Sequence, residues 1–214
     1  MYETIIFDLD GTLLDTLDDL TAAVNAALSF CDLPLRTKEE GRAMIGNGIV
    51  KLMERAVGKR QDCFPKAFEE FKRYYGAHCK ERTKPYDGIL ALLHILKERG
   101  IKTAVLSNKA DFAVRLLAEE YFPNLLQEAI GENEALGIRK KPAPDALFAV
   151  MERLQAKRAV YVGDSEVDVE TAKNAGVDCI CVTWGFRSKA ELKACGGTLF
   201  VDSPLEILEY CQTY

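Results

Sequence analysis

Two acid-bearing segments carry the chemistry that this sequence offers, FDLDGT from Phe7 to Thr12 and GDSEVD from Gly163 to Asp168. In each, an apolar run ends in carboxylates: TIIF leads into Asp8 and AVYV into Gly163–Asp164. A buried strand that ends in charge is costly unless the charge has a partner. Residues two apart on a strand face the same side, so Asp8 and Asp10 can converge beyond its carboxyl end. In open α/β sheets that end is where ligands bind. The plainer alternatives are an Asp-rich turn capping backbone groups and, for Asp168, N-capping of the helix that follows. Asp164, however, falls at the same end of a neighbouring predicted strand as Asp8. Carboxylates gathered there repel one another unless a cation sits among them. All-oxygen ligands with few protein carboxylates favour a hard, partly hydrated ion such as Mg²⁺.

Two further segments supply groups for an anion. TAVLSNK puts Ser107 at the end of a second predicted strand, with Asn108 and Lys109 opening a helix whose free N–H groups face an anion. RKKPAPD sets Lys141 directly before Pro142, which holds it extended rather than helical. A cation in a turn facing an acidic cluster makes a phosphate clamp. Singly, Ser107 reads as a cap and Lys141 as a surface lysine, and Lys140 leaves the clamp ambiguous by one position. The conjunction carries the argument: the signals fall in order at the carboxyl ends of predicted strands.

The elements that must position these groups follow from the pattern of apolar residues. Thr4 to Phe7, Lys102 to Leu106, Glu128 to Ile130, Ala159 to Val162 and Asp178 to Val182 read as five short buried strands. Continuous apolar runs suit a parallel sheet covered on both faces. Helical patterns alternate with them from about residue 86 onward, which predicts a doubly wound α/β core. They include Gly88 to Arg99 stopped by Gly100, a stripe of Val114, Leu117 and Tyr121, and Ala146 to Leu154. Ser203, Pro204 and Glu206 predict a last helix. Between about Thr16 and Arg82 the alternation breaks. Leu17, Leu20, Val24 and Ala27 follow helical spacing, as do Phe64, Phe68, Phe71 and Tyr75, and Thr37 with Glu40 forms a capping box. The expected organisation is a core of residues 1–15 and 83–214 with an all-helical insertion, 16–82, hinged near Asp15–Thr16 and Lys84–Pro85.

Composition bounds the partners. The 214 residues bury an ordinary core, and 48% hydrophobic with 29% charged residues is a globular balance. A net charge of -5 with no basic stripe argues against nucleic acid. No apolar run is long enough to span a membrane, and the start MYETIIFD has no secretory pattern. Seven cysteines without a CxxC pair read as reduced thiols of a cytoplasmic protein, Cys179 and Cys181 as small hydrophobes on one strand face.

DLDGT, the serine of LSNK, the lysine of KPAP and GDSEVD together resemble the four ordered motifs of the haloacid dehalogenase superfamily of phosphatases, over nearly the whole chain. Within it, MIGNGI, PYDGI and VTWGF are similar to segments of phosphoglycolate phosphatases. The resemblance implies a Rossmann-like core and makes the insertion a small cap domain that closes over the site. It implies Asp8 as nucleophile, forming an aspartyl-phosphate, and Asp10 as acid and base. Mg²⁺ would be held by Asp8, the Asp10 main-chain carbonyl and Asp164. Asp168 would bind that ion through water or orient the lysine, while Ser107, the Asn108 N–H and Lys141 hold the phosphoryl group. Arg42 and Asn47, with Lys51, are the substrate-facing candidates of the cap, although a surface helix position is the plainer reading of Arg42. Cleavage of a carbon–halogen bond needs neither a leaving-group acid nor a metal, so Asp10 and Asp164 favour phosphate chemistry.

The resulting expectation is a Mg²⁺-dependent phosphomonoesterase acting on a small phosphorylated metabolite, 2-phosphoglycolate first, as a monomer or homodimer. A pyrophosphatase, nucleotidase, sugar-phosphate phosphatase or mutase would keep the same site. A phospho-accepting signalling module shares the acidic cluster, hydroxyl residue, lysine and Mg²⁺, but needs neither Asp10 nor a helical insertion.

Overall fold

The computed structural model describes residues 1–133 and 139–211. Two compact units divide the chain, one formed by Met1–Leu14 with Pro85–Tyr214 and the other by Asp15–Lys84.

The first unit is built on a six-stranded parallel sheet. Its strands are β1 (Thr4–Phe7), β2 (Lys102–Ala110), β3 (Glu128–Glu132), β4 (Ala159–Gly163), β5 (Asp178–Val182) and β6 (Leu199–Val201). Their spatial order is β3-β2-β1-β4-β5-β6. The order reverses between β1 and β4, and that crevice at the carboxyl ends is where such sheets bind ligands. Alternation along the strands sorts side chains to two faces. Ile5, Phe7, Val105, Val160 and Val162 pack against α5 (Ile89–Glu98) and α6 (Asp111–Tyr121). Ile6, Ala104, Leu106 and Tyr161 pack against α7 (Asp145–Arg153) and α8 (Glu166–Ala175). Covered on both sides, the strands have no polar face to show, which explains their unbroken apolar runs. A short helix, α9 (Lys189–Ala194), adds Leu192 against Val169 and Cys181.

Three sequence expectations need correction. β2 does not stop at Leu106: its ladder with β3 shifts register and resumes at Ala110↔Glu132. Asn108 and Lys109 therefore lie on a strand, and the helix begins only at Asp111. The sheet has a sixth strand, Leu199–Val201, whose three residues are too few to show a period. The segment after Ser203 is a 3₁₀ helix, Pro204–Tyr210, rather than an α-helix.

The second unit is helical, with α1 (Leu17–Phe30), α2 (Lys38–Met44), α3 (Gly48–Val57) and α4 (Phe64–His78). Thr37 and Glu40 form the capping box that opens α2. Phe71 and Tyr75, one turn apart on α4, stack at 5.6 Å between ring centres. The buried Asp19 carboxylate of α1 accepts the N–H groups of Arg82 and Thr83 and the Thr83 hydroxyl at 2.9–3.1 Å. A buried charge is tolerable when hydrogen-bonded this fully.

Candidate active site

Asp8 follows β1 directly, and its N–H continues the ladder to the Val162 carbonyl at 2.8 Å. Beyond it the chain folds back, with the N–H groups of Leu13 and Leu14 both donating to the Leu9 carbonyl. Gly11 sits in this turn at φ +84°, and a Cβ there would lie 2.4 Å from the Asp164 Oδ2. Backbone conformation and close approach thus both require glycine. The turn presses against Asp164, which follows β4, the strand hydrogen-bonded beside β1.

Asp8, Asp164 and Asp168 are all buried, and they offer carboxylate oxygens within 4.8 Å of one another. Lys141 stands among them. Its Nζ lies 3.0 Å from Asp8 Oδ1, 2.7 Å from Asp168 Oδ1 and 2.9 Å from the Tyr161 hydroxyl. Tyr161 in turn donates to the Leu106 carbonyl at 2.6 Å. Asp168 Oδ2 accepts the N–H groups of Asp164 and Ser165 and the Ser165 hydroxyl. Both of its oxygens are therefore engaged, one by the lysine and the other by the start of α8. Asp164 is oriented from two other loops, by the Thr12 hydroxyl at 3.2 Å and by the Phe186 N–H at 2.6 Å.

Asp10 directs both carboxylate oxygens at Lys109 Nζ, at 2.9 and 3.0 Å. Ser107, Asn108 and Lys109 are all buried, and the Asn108 side-chain amide donates to the Lys141 carbonyl at 3.0 Å. Ser107, Asn108 and Lys141 line one recess with Lys140 and Glu132. Lys140 forms a partly exposed pair with Glu132 at 3.2 Å. The structure thus gathers Asp8, Asp164, Asp168 and Lys141 in one cluster and sets Asp10 against Lys109.

The other candidates belong to the helical unit. Arg42 is exposed on α2. Asn47 precedes α3 and accepts from Arg55 at 2.5 Å. Lys51 pairs with Glu54 at 2.6 Å.

Electrostatics follow from burial. Burial pushes the Asp8 carboxyl up to about 6, against the pull of Lys141, and the charges of Asp168 and Asp10 add to the rise. Burial likewise raises Asp164 well above the usual carboxylate range, with Asp168 and Asp8 contributing and the Phe186 N–H opposing. Burial alone would lower the Lys141 pKa, but the Asp168 and Asp8 charges outweigh it and hold it well above the ordinary value. Burial also keeps the Tyr161 phenol protonated. When ionised, the four carboxylates of Asp8, Asp10, Asp164 and Asp168 face the two ammonium groups of Lys109 and Lys141. The surplus is two negative charges, the amount that one divalent cation neutralises. Hard oxygen donors, a charge surplus and carboxyls raised by burial and by one another's charge fit a Mg²⁺-type ion at Asp8 and Asp164.

Lys109, Tyr161, Thr12 and the Phe186 N–H are the parts of this network that sequence reasoning misses. Lys109 stands two residues beyond Ser107, a spacing that signals a shared face once the strand is known to continue. Tyr161 alternates with Val160 and Val162 and so faces the α7 and α8 side, where Lys141 enters. Nothing in the local sequence marks the Phe186 N–H.

The structure thus sets an acidic cluster at the topological switch point of a parallel sheet. The family model described as haloacid dehalogenase-like hydrolase matches residues 5–182. The chain belongs to the haloacid dehalogenase-like hydrolase family. A phosphoglycolate phosphatase from Pseudomonas savastanoi pv. phaseolicola is 33% identical over 217 residues, covering 97% of this chain and 79% of that protein. One from Nitrosococcus oceani is 29% identical, covering 96% of this chain and 94% of its own. A solved structure from Lactobacillus delbrueckii subsp. bulgaricus, described as a provisional phosphoglycolate phosphatase, superposes with a TM-score of 0.92 at 38% identity, covering 98% of each chain. The enzyme is a phosphatase.

Proposed function

We propose that this phosphatase hydrolyses a small phosphomonoester, 2-phosphoglycolate first, through an aspartyl-phosphate on Asp8, with Mg²⁺ as cofactor. The observation that carries the reading is the position of Asp8. It is a buried carboxylate at the switch point, with the Lys141 ammonium at 3.0 Å and Asp164 beside it. The names of the relatives support the substrate.

In this reading Asp8 attacks phosphorus and the ester oxygen leaves from the opposite side. Asp10 protonates the leaving oxygen, then takes a proton from the water that hydrolyses the phosphoenzyme. Lys141, Ser107 and the Asn108 N–H hold the charge that spreads over the phosphoryl oxygens. Asp168, with one oxygen on Lys141 and the other on the N–H groups before α8, aims Lys141. Asp8, Asp164 and the Asp10 carbonyl are the groups that would hold Mg²⁺. When bound, the ion offsets repulsion between the anionic nucleophile and the anionic ester. The helical residues 16–82 act as a cap that shields the reaction from water, and Arg42 and Asn47 are its substrate-facing candidates.

The test is phosphate release with Mg²⁺ across a panel of phosphomonoesters, pyrophosphate and p-nitrophenyl phosphate. The reading predicts that 2-phosphoglycolate has the highest kcat/KM and that chelation of the metal stops turnover. Turnover of 2-phosphoglycolate no better than that of p-nitrophenyl phosphate would remove the specific substrate. Full activity of Asp8→Asn would remove the nucleophile.

A further inference from the structure

Lys109 is a buried charge to which the reaction above gives no task. Its side chain is 2% exposed, and its ammonium bridges both oxygens of Asp10, whose side chain is 14% exposed. A regular strand would send Ser107 and Lys109 to one face and Asn108 to the other. All three are buried, and the β2–β3 ladder shifts register between Leu106 and Ala110. Irregularities of this kind re-aim side chains beside functional sites. The opposing strand is shaped to match. A Cβ on Gly131 of β3 would lie 2.5 Å from both the Lys109 carbonyl oxygen and the Asp111 Cα, so only glycine lets β3 come this close. The Gly131 N–H then donates to Asp111 Oδ1 at 3.0 Å and fixes the residue where β2 hands over to α6. The placement of Lys109 is therefore set by two strands and a helix start.

We propose that Lys109 is the positioning residue of Asp10, an inference that rests on Asp10 being the acid and base of the proposed reaction. A carboxyl group that gives a proton to a leaving oxygen must present one oxygen within hydrogen-bond reach of it. An ammonium held astride both carboxylate oxygens fixes the plane and direction of that group before substrate arrives. A misplacement of about 1 Å in such a group costs on the order of a hundredfold in rate. In the first half of the reaction the role concerns the leaving group. As the Asp8–phosphorus bond forms and the ester bond breaks, the proton passes from Asp10 to the departing oxygen, and the carboxylate left behind stays paired with Lys109.

The experiment compares kcat/KM, which reports the steps through departure of the first product, for an alkyl and an aryl ester. Alkoxide is a poor leaving group and needs the proton, whereas p-nitrophenolate leaves without it. Lys109→Met is expected to lower kcat/KM on 2-phosphoglycolate by about tenfold or more, and on p-nitrophenyl phosphate by less than about threefold. The inhibition constant of inorganic phosphate should stay within about twofold of the unmodified enzyme, since phosphate contacts Lys141 and Ser107 rather than Lys109. Lys109→Gln, which keeps an N–H donor one bond shorter, should show the same selectivity with a smaller loss and provides the measurement if the methionine variant fails to fold. Equal losses on the two esters, or a weakened affinity for phosphate, would overturn the inference and leave the phosphatase reading standing. An unmodified enzyme that hydrolyses neither ester with Mg²⁺ would overturn both.

Discussion

At the scale of single residues, the site depends on charges being paired inside a buried cluster. Asp168 shows the principle most clearly. Its carboxylate accepts from Lys141, from two backbone N–H groups and from a hydroxyl, and it is fully buried. Removing one partner from such an arrangement leaves an uncompensated buried charge. Asp168→Ala is therefore expected to lower the unfolding free energy by about 3 kcal/mol or more, measured as a shift of the urea midpoint at constant slope. A loss below about 1 kcal/mol, the range of surface pairs, would show that the pair is not buried as described. Asp8, Asp10 and Asp164 are legible in the sequence because each ends an apolar run in a charge that demands a partner. Their partners are not. Lys109 and the Phe186 N–H are recruited by folding from distant segments, and only the geometry brings them together.

At the scale of elements, the sheet edge between β2 and β3 determines where α6 begins, and Asp111 is its hinge point. Burial would raise the Asp111 carboxyl, but hydrogen bonds from Arg115 and the Gly131 N–H, at 2.7 and 3.0 Å, outweigh it and hold the pKa below the ordinary value. A depressed carboxylate contributes stability that is present above its unfolded pKa of about 4 and is lost as pH falls through the folded value. Asp111→Ala should therefore destabilise the protein by about 1–2 kcal/mol at pH 7, and the difference should shrink as the pH falls below about 4. Urea titrations of both proteins across pH 3–7 give the measurement, and a difference that grows toward acid would contradict the assignment. The strand boundary here is hidden from sequence because Ser107, Asn108 and Lys109 have no apolar period. Pairing with β3, rather than local preference, extends β2 to Ala110. β6, three residues long, is hidden for the same reason: its pairing with β5, not its composition, decides it.

At the scale of the whole molecule, the doubly wound sheet is the most legible feature, because strands covered on both faces must be apolar throughout. The order of β1 and β4 then places Asp8 and Asp164 side by side from positions far apart in sequence. No helix among the described residues is long and apolar enough to cross a membrane. The surplus negative charge of the site makes a prediction for the molecule as a unit. A cation that binds only the folded state stabilises it by about 2.7 kcal/mol at a hundred times its dissociation constant. Mg²⁺ should accordingly raise the thermal midpoint in a concentration-dependent manner, and Asp164→Asn should largely abolish the shift. An equal shift in both proteins would place the ion elsewhere.

The most direct test of the central claim is to look for the phosphoryl group on Asp8 itself. The enzyme is mixed with Mg²⁺ and 2-phosphoglycolate, quenched in acid within the first turnovers, digested and analysed by mass spectrometry. The account predicts one phosphoryl increment on the peptide containing Asp8, absent without Mg²⁺, and enriched in Asp10→Asn when p-nitrophenyl phosphate, whose leaving group needs no proton, is the donor. Steady turnover with no phosphoryl group on that peptide in either protein, or with the group on another residue, would contradict it.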